Sequence, residues 1–193
     1  MYKKATFFTM LLVFALVFSA GAADLAAGIK AYKAGDFKGA LVVFQALAAK
    51  GNTEAQTYLG EMYSRGEEVS LDFDEAAAWY KKAAEGGDAR GQYLLSIAYS
   101  LGMGVDQNPA LADKWLRMAA DKGLPEAQNT LGLAYFEGKN VAKDLVQALA
   151  WIIKAETGGL ADAKQNHVVL EREMTPEQVA AAYKLAKVTP QTK

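Results

Sequence analysis

From Asn52 onward the chain alternates short amphipathic stretches with glycine-centred breaks. Ala55, Leu59, Met62 and Tyr63 stand at i, i+4, i+7 and i+8, the apolar stripe of a helix with one face buried. Gly66 ends the stripe, because a left-handed residue at a helix C-terminus is easiest for glycine. After Val69, Asp72 opens a second stripe formed by Ala76, Trp79, Ala83 and Ala84, which stops at Gly86-Gly87. Asn52 and Asp72 are N-cap residues, and Glu75 three positions after Asp72 predicts a reciprocal capping box. Residues 52–87 therefore read as one helical hairpin.

The same punctuation returns every 36 residues. Trp79, Trp115 and Trp151 keep that interval, as do Tyr63, Tyr99, Tyr135 and Gly66, Gly102, Gly138. Val69, Val105, Val141 and Ala76, Ala112, Ala148 follow, with Ala83, Ala119, Ala155 and Gly87, Gly123, Gly159. Other start signals are Asp88, Asn108-Pro109, Pro125 at a first helical position, and Asp144 with Gln147. A fixed period of this size marks stacked repeats. The physical reason lies in the rings: each Trp or Tyr offers roughly 150–250 Å² for burial, more than a lone hairpin covers. Close helix approach needs small side chains, supplied by Gly60, Gly132 and the periodic alanines. An aromatic cage for a ligand is the alternative use of these rings; packing between layers accounts for them without one. The expected fold is an all-α solenoid of stacked antiparallel helical hairpins, about ten helices in all.

The string from Ala55-Gln56 through Leu59-Gly60, Tyr63, Gly66, Val69, Asp72, Ala76, Trp79, Ala83-Ala84 and Gly87 resembles the Sel-one-like repeat, a longer relative of the tetratricopeptide repeat. Residues 91–123 match it with Ser96 in place of the glycine after leucine, and residues 127–159 match through Leu131-Gly132, Tyr135, Gly138 and Trp151. A shorter unit precedes them, carrying Tyr32, Gly35-Asp36, Ala40, Phe44, Ala48 and Gly51. There Val43 stands for the tryptophan, and Tyr32 to Tyr63 is only 31 residues, so the turn is trimmed. The expected organisation is a leader at 1–22 and a repeat domain at 23–187. The repeats lie at about 26–51, 52–87, 88–123 and 124–159. A capping hairpin at 160–187 and a tail at 188–193 follow. Thr175-Pro176-Glu177-Gln178 opens the last helix. The resemblance implies an adaptor that assembles other proteins, and members of the family include exported bacterial proteins. Related repeat proteins credited with hydrolytic activity are cysteine-rich; this chain has no cysteine.

Composition changes the picture at the N-terminus. Lys3 and Lys4 precede an apolar run from Met10 to Phe18, and Ala20-Gly21-Ala22 supplies small residues for cleavage, the order of a secretory signal peptide. The run from Ala5 to Ala20 is short of the ~20 apolar residues of a spanning helix. Cleavage after Ala22 is expected, with no stable membrane insertion afterwards and a periplasmic or secreted location. Of 21 basic residues, losing Lys3 and Lys4 leaves 19 against 22 acidic ones, so the mature chain is mildly acidic. No basic cluster exists to bind nucleic acid.

Catalytic material is sparse. His167 is the one histidine, so no histidine pair can hold a metal. It stands one period after Leu131, which places it at a relaxed core position of the capping unit. Asp72-Phe73-Asp74-Glu75 lacks the glycine and terminal glutamate of a calcium loop, and Gly102-Met103-Gly104 is a turn without the lysine of a phosphate loop. No catalytic, cofactor or metal set is expected.

Residues outside the repeat signature are free to serve a partner. In the first helices, i, i+4, i+7 spacing groups Thr57, Glu61 and Ser64, then Tyr93, Ile97 and Ser100, then Asn129, Leu133 and Phe136. Such first helices line the inner, concave side of a solenoid. Tyr93, Ile97, Leu133 and Phe136 form an apolar strip along them, either open to a protein or peptide partner or covered by the C-terminal hairpin. The expected function is an exported scaffold for protein–protein interaction. The alternative is an envelope enzyme acting on a cell-wall or small-molecule substrate.

Overall fold

The computed structural model describes residues 24–189, and these hold ten α-helices and no strand. The expected leader at 1–22 and the last residues of the expected tail, 190–193, lie outside the described residues. The helices are α1 (24–33), α2 (Phe37–Ala48), α3 (Thr53–Arg65), α4 (Phe73–Glu85), α5 (Ala89–Leu101), α6 (Pro109–Asp121), α7 (Pro125–Glu137), α8 (Leu145–Thr157), α9 (Ala161–Glu171) and α10 (Pro176–Ala186). Odd and even helices pair as antiparallel hairpins up to α8, and each even helix also packs on the odd helix that follows. The all-α solenoid expected from the period is the observed fold.

Local chemistry sets the helix ends. The side chains of Asn52, Asp72, Asp88, Asn108 and Asp144 each accept a backbone N–H from the first turn of the helix they open, contributing about 1 kcal/mol apiece. The capping box expected at Asp72 and Glu75 forms only by half. The N–H of Asp72 donates to the Tyr63 carbonyl at 3.0 Å, and Asn108 and Asp144 do the same to Tyr99 and Tyr135. That N–H is spent on closing the seven-residue turn, so no glutamate can reach for it. A complete box appears at Thr175 and Gln178, where no such turn precedes the helix. The turn between α1 and α2 has only residues 34–36, the trimmed version.

Within each hairpin, helices approach through small residues. A Cβ on Gly60 would sit 2.4 Å from the Tyr80 ring, and one on Gly132 would sit 2.8 Å from Ile152. Between hairpins lie the cores. Trp79 packs against a core of Ala40, Phe44, Ala48, Ala55 and Leu59. Trp115 packs against Ala76, Tyr80, Ala84 and Leu95, and Trp151 against Ala119, Ala120, Ala127 and Leu131. Each indole thus closes the junction between its own hairpin and the one before, half-buried, with Lys82, Lys114 and Lys154 above the rings. The rings serve as the continuous core.

A polar tie accompanies each junction. Gln56, Gln92 and Gln128 are buried, and each Nε2 donates to a carbonyl eight residues back, on Ala48, Ala84 and Ala120, at 3.3, 3.1 and 3.1 Å. These bonds staple the start of one hairpin to the end of its predecessor, where the last carbonyls of a helix lack intrahelical donors.

Candidate functional site: the face of the first helices

The face expected to receive a partner is partly occupied by the chain itself. Thr57 is 1% exposed, and its hydroxyl lies 2.8 Å from Oδ1 of Asp88, the residue that caps α5. Glu61 is 3% exposed, with Oε1 at 2.7 Å from the Arg90 guanidinium. Neither residue is a surface position, which corrects their place in the candidate face. The physical reason is lateral: in a stack the first helices lie side by side, and this edge of α3 meets the start of α5. Helical spacing finds the edge but not its neighbour.

The edge is used the same way further along. The Tyr93 hydroxyl of α5 is 3.2 Å from Thr130 of α7, and Asn166 of α9 donates to Asn129 of α7 at 2.9 Å. Leu133 and Phe136 are half-buried and pack against the core cluster that α8, α9 and α10 share, so this part of the apolar strip is partly covered. Ile97 remains half-exposed, beside a small pocket. Arg65 and Arg90 keep about half of their side-chain surface in solvent, and Val168 and Val169 of α9 are 44% and 43% exposed.

A model of the Sel1 repeat matches residues 53–88, 89–124 and 125–160, the three hairpins whose joints have just been described. The chain belongs to the Sel1 repeat family. Among solved structures it is similar to a Sel1 repeat protein from Oxalobacter formigenes, with 28% identity and a TM-score of 0.72 over 85% of this chain and 67% of that one. It is also similar to c5321, a protective antigen of uropathogenic Escherichia coli strains that displays an SLR fold. There the identity is 28% and the TM-score 0.52, over 86% of this chain but only 44% of that one. No curated protein matches the chain. Sel1 repeat proteins are generally non-catalytic scaffolds for protein–protein interaction.

Several charges along the Sel1 repeats are paired. Burial pushes the Glu61 carboxyl above its ordinary value, although Arg90 and Arg65 pull it down; one of its oxygens, Oε2, is buried without a partner. Burial raises the Tyr80 phenol to about 12, and its hydroxyl donates to Ser64 at 3.1 Å. Tyr32 is raised further, by burial and by donating to Glu67 at 2.7 Å, while Arg65 in turn donates to the Tyr32 oxygen at 3.1 Å. Arg117 is held protonated by Asp113 at 2.8 Å, and it also donates to Tyr135 at 2.9 Å. These bonds tie helices within and between hairpins, while the Arg65 and Arg90 side chains stay half in solvent.

His167, expected at a relaxed core position of the capping unit, is half-buried there and held by polar contacts. Its Nδ1 lies 2.5 Å from Glu156 of α8, and its Nε2 lies 3.2 Å from Glu171 of α9 and 3.3 Å from the Tyr183 hydroxyl of α10. Both ring nitrogens are engaged, so the imidazole bridges three helices. The cluster sits in a groove of about 1070 Å³ between α9 and α10, walled by Ile153, Val168, Met174 and Val179. A missing leucine signalled a departure here, but only the splay of α9 and α10 on α8 brings the four side chains together. Among the described residues no three His, Cys, Asp or Glu side chains are placed to hold a metal, and no helix is long and apolar enough to cross a membrane.

The buried glutamines were missed by the sequence reading, although their signal was available. A polar residue recurring at 56, 92 and 128 beside a periodic buried small residue is unusual enough to mark a structural hydrogen bond.

Proposed function

We propose that this Sel1 repeat chain is an exported scaffold that holds a protein partner along the concave surface of its first helices. The observation that carries the reading is the composition of that surface once the stacking joints are set aside. Ile97 and Val169 occupy the same repeat position, the first half-buried and the second exposed, and the half-exposed side chains of Arg65 and Arg90 lie on the same row of helices. Accessible apolar side chains flanked by charge are the usual make-up of an interface, with anchors in a polar rim. The Sel1 family membership supports the same class of function. Export rests on the order of Lys3-Lys4, the apolar run and Ala20-Gly21-Ala22.

Two measurements test the two halves. Intact mass of the chain purified from its native envelope reports export: a start at Asp24 or Ala23 agrees, and a start at Met1 removes it. For the face, Ile97→Asp with Val169→Asp is the informative pair, since Leu133→Asp would disturb the core of α8 to α10 instead. A folded double variant that captures the native partner as well as the unaltered chain does removes this surface from the account.

A further inference from the structure

At the junction of the first and second Sel1 repeats the stack leaves a hole. Phe73, Ala77, Tyr80, Leu94, Ile97 and Met103 line a pocket of about 140 Å³ that is walled almost wholly by carbon. The 36-residue period explains why it lies here. Positions 64 and 77, both on its wall, recur as 100 and 113, and then as 136 and 149. At the last junction they carry Phe136 and Leu149, the latter fully buried, and both side chains go into the core. At the middle one Asp113 carries the network of Arg117 and Tyr135. At the first they are Ser64 and Ala77; serine also stands at position 100, so Ala77 is the residue smaller than both of its equivalents, Asp113 and Leu149. The truncation at position 77 opens the pocket, and Ser64 leaves its rim small.

Interiors close space of this kind, because a void forfeits the contacts on its lining. This pocket opens to the surface, and an apolar volume near ~150 Å³ is enough to hold a benzene-sized group. We propose that this pocket is the seat for one benzene-sized apolar side chain, phenylalanine or leucine, projecting from a peptide segment of the partner. The proposal rests on the scaffold reading above. The surroundings favour a peptide over a free hydrocarbon. Ser64 and Ile97 place the pocket on the face of the first helices. Arg65 follows Ser64 of the pocket wall, and Arg90 lies on the next first helix; each side chain is half in solvent while paired on one side with Tyr32 or Glu61, so its remaining N–H groups can receive the carbonyls or a carboxylate beside the anchor.

The test is an amide-shift titration by NMR of the chain from residue 24 onward. Its probes are N-acetyl-phenylalaninamide, N-acetyl-leucinamide, N-acetyl-alaninamide and benzene. The expected result is a set of shifts confined to Ala77, Leu94, Ile97 and Met103 with the phenylalanine and leucine amides, and none with the alanine amide. Ala77→Leu, which copies Leu149 of the same chain, is expected to weaken those shifts at least ~10-fold, a loss of about 1.4 kcal/mol. Ile97→Trp, beside the pocket, is the second blocking variant should Ala77→Leu alter the fold. Absence of localised shifts in the unaltered chain overturns the proposal, as do equal shifts in both blocked variants. Binding of benzene alone also overturns it, since that describes a hole rather than an anchor seat. With the native partner in hand, unchanged capture by Ala77→Leu rejects the pocket and leaves the scaffold standing, whereas no partner at all for the unaltered chain rejects the scaffold.

Discussion

Replacing Gly104 by alanine tests what fixes the turn geometry of a Sel1 hairpin. Position 68/104/140 is left-handed in all three repeats, with φ of 58° at Glu68, 69° at Gly104 and 61° at Asn140. The left-handed conformation costs a non-glycine residue roughly 1–2 kcal/mol, yet two of the three repeats carry that cost. Something further applies at 104. A Cβ there would lie 1.8 Å from the Phe73 carbonyl oxygen and 2.8 Å from the Asp74 nitrogen, so the turn rests directly on the start of α4 and a methyl group forces backbone apart. Such overpacking adds about 1–3 kcal/mol, giving roughly 2–5 kcal/mol in total. Asparagine separates the two contributions, because it tolerates the left-handed region but still carries a Cβ. Urea denaturation followed by far-UV circular dichroism, with hydrogen exchange to locate the loss, is the assay. Gly104→Ala is expected to lose more than about 2 kcal/mol and Gly104→Asn about 1–3 kcal/mol, with exchange quickening at α4 and α5. Full stability in Gly104→Asn would refute the contact argument and leave only backbone strain.

Further outcomes follow from the same geometry. Glu68→Gly relieves the strain without any neighbouring clash and is expected to stabilise by about 0.5–1 kcal/mol, read as a higher urea midpoint; a lower midpoint contradicts the reasoning. Trp151→Ala, which empties the core between α6, α7 and α8, is expected to cost about 3 kcal/mol, and a loss under about 1 kcal/mol would mean that the indole is not structural. Asp88→Ala removes both the cap of α5 and the partner of Thr57, so it is expected to cost more than Asp72→Ala, which loses about 1 kcal/mol as a cap alone. A double-mutant cycle with Thr57→Val measures the difference, and a coupling near zero denies the joint. Glu61 gives a pH signature. Burial raises its carboxyl above 4.5 in the folded chain, so the folded state binds that proton more tightly than the unfolded state does. Its contribution to stability therefore falls as pH rises from the ordinary value through the raised one. Glu61→Gln is expected to flatten that fall in denaturation curves taken across the acid range, and parallel curves would contradict it.

The period alone determined the architecture. Glycine, capping and tryptophan positions in fixed order specify hairpins locally, and rings too large for one hairpin to cover specify that hairpins must stack. Asp88, Asn108 and Thr175 cap where their spacing says they should because capping is a contact within a few residues. What sequence could not decide is which neighbour each outward edge meets. Thr57 and Glu61 read as free polar positions, yet they are buried, because the start of α5 lies against them in space and 30 residues away in the chain. Glu75 reads as half of a capping box, but the turn from Tyr63 had already claimed the N–H it needed. His167 looked like a lapse in an apolar column, and the splay of α9 and α10 made it a bridge among Glu156, Glu171 and Tyr183. Ala77 looked like one more small residue, and only the stacked geometry turns it into an opening. Periodicity records what each repeat shares with the others, whereas the site arises from long-range neighbours at positions where the repeats differ.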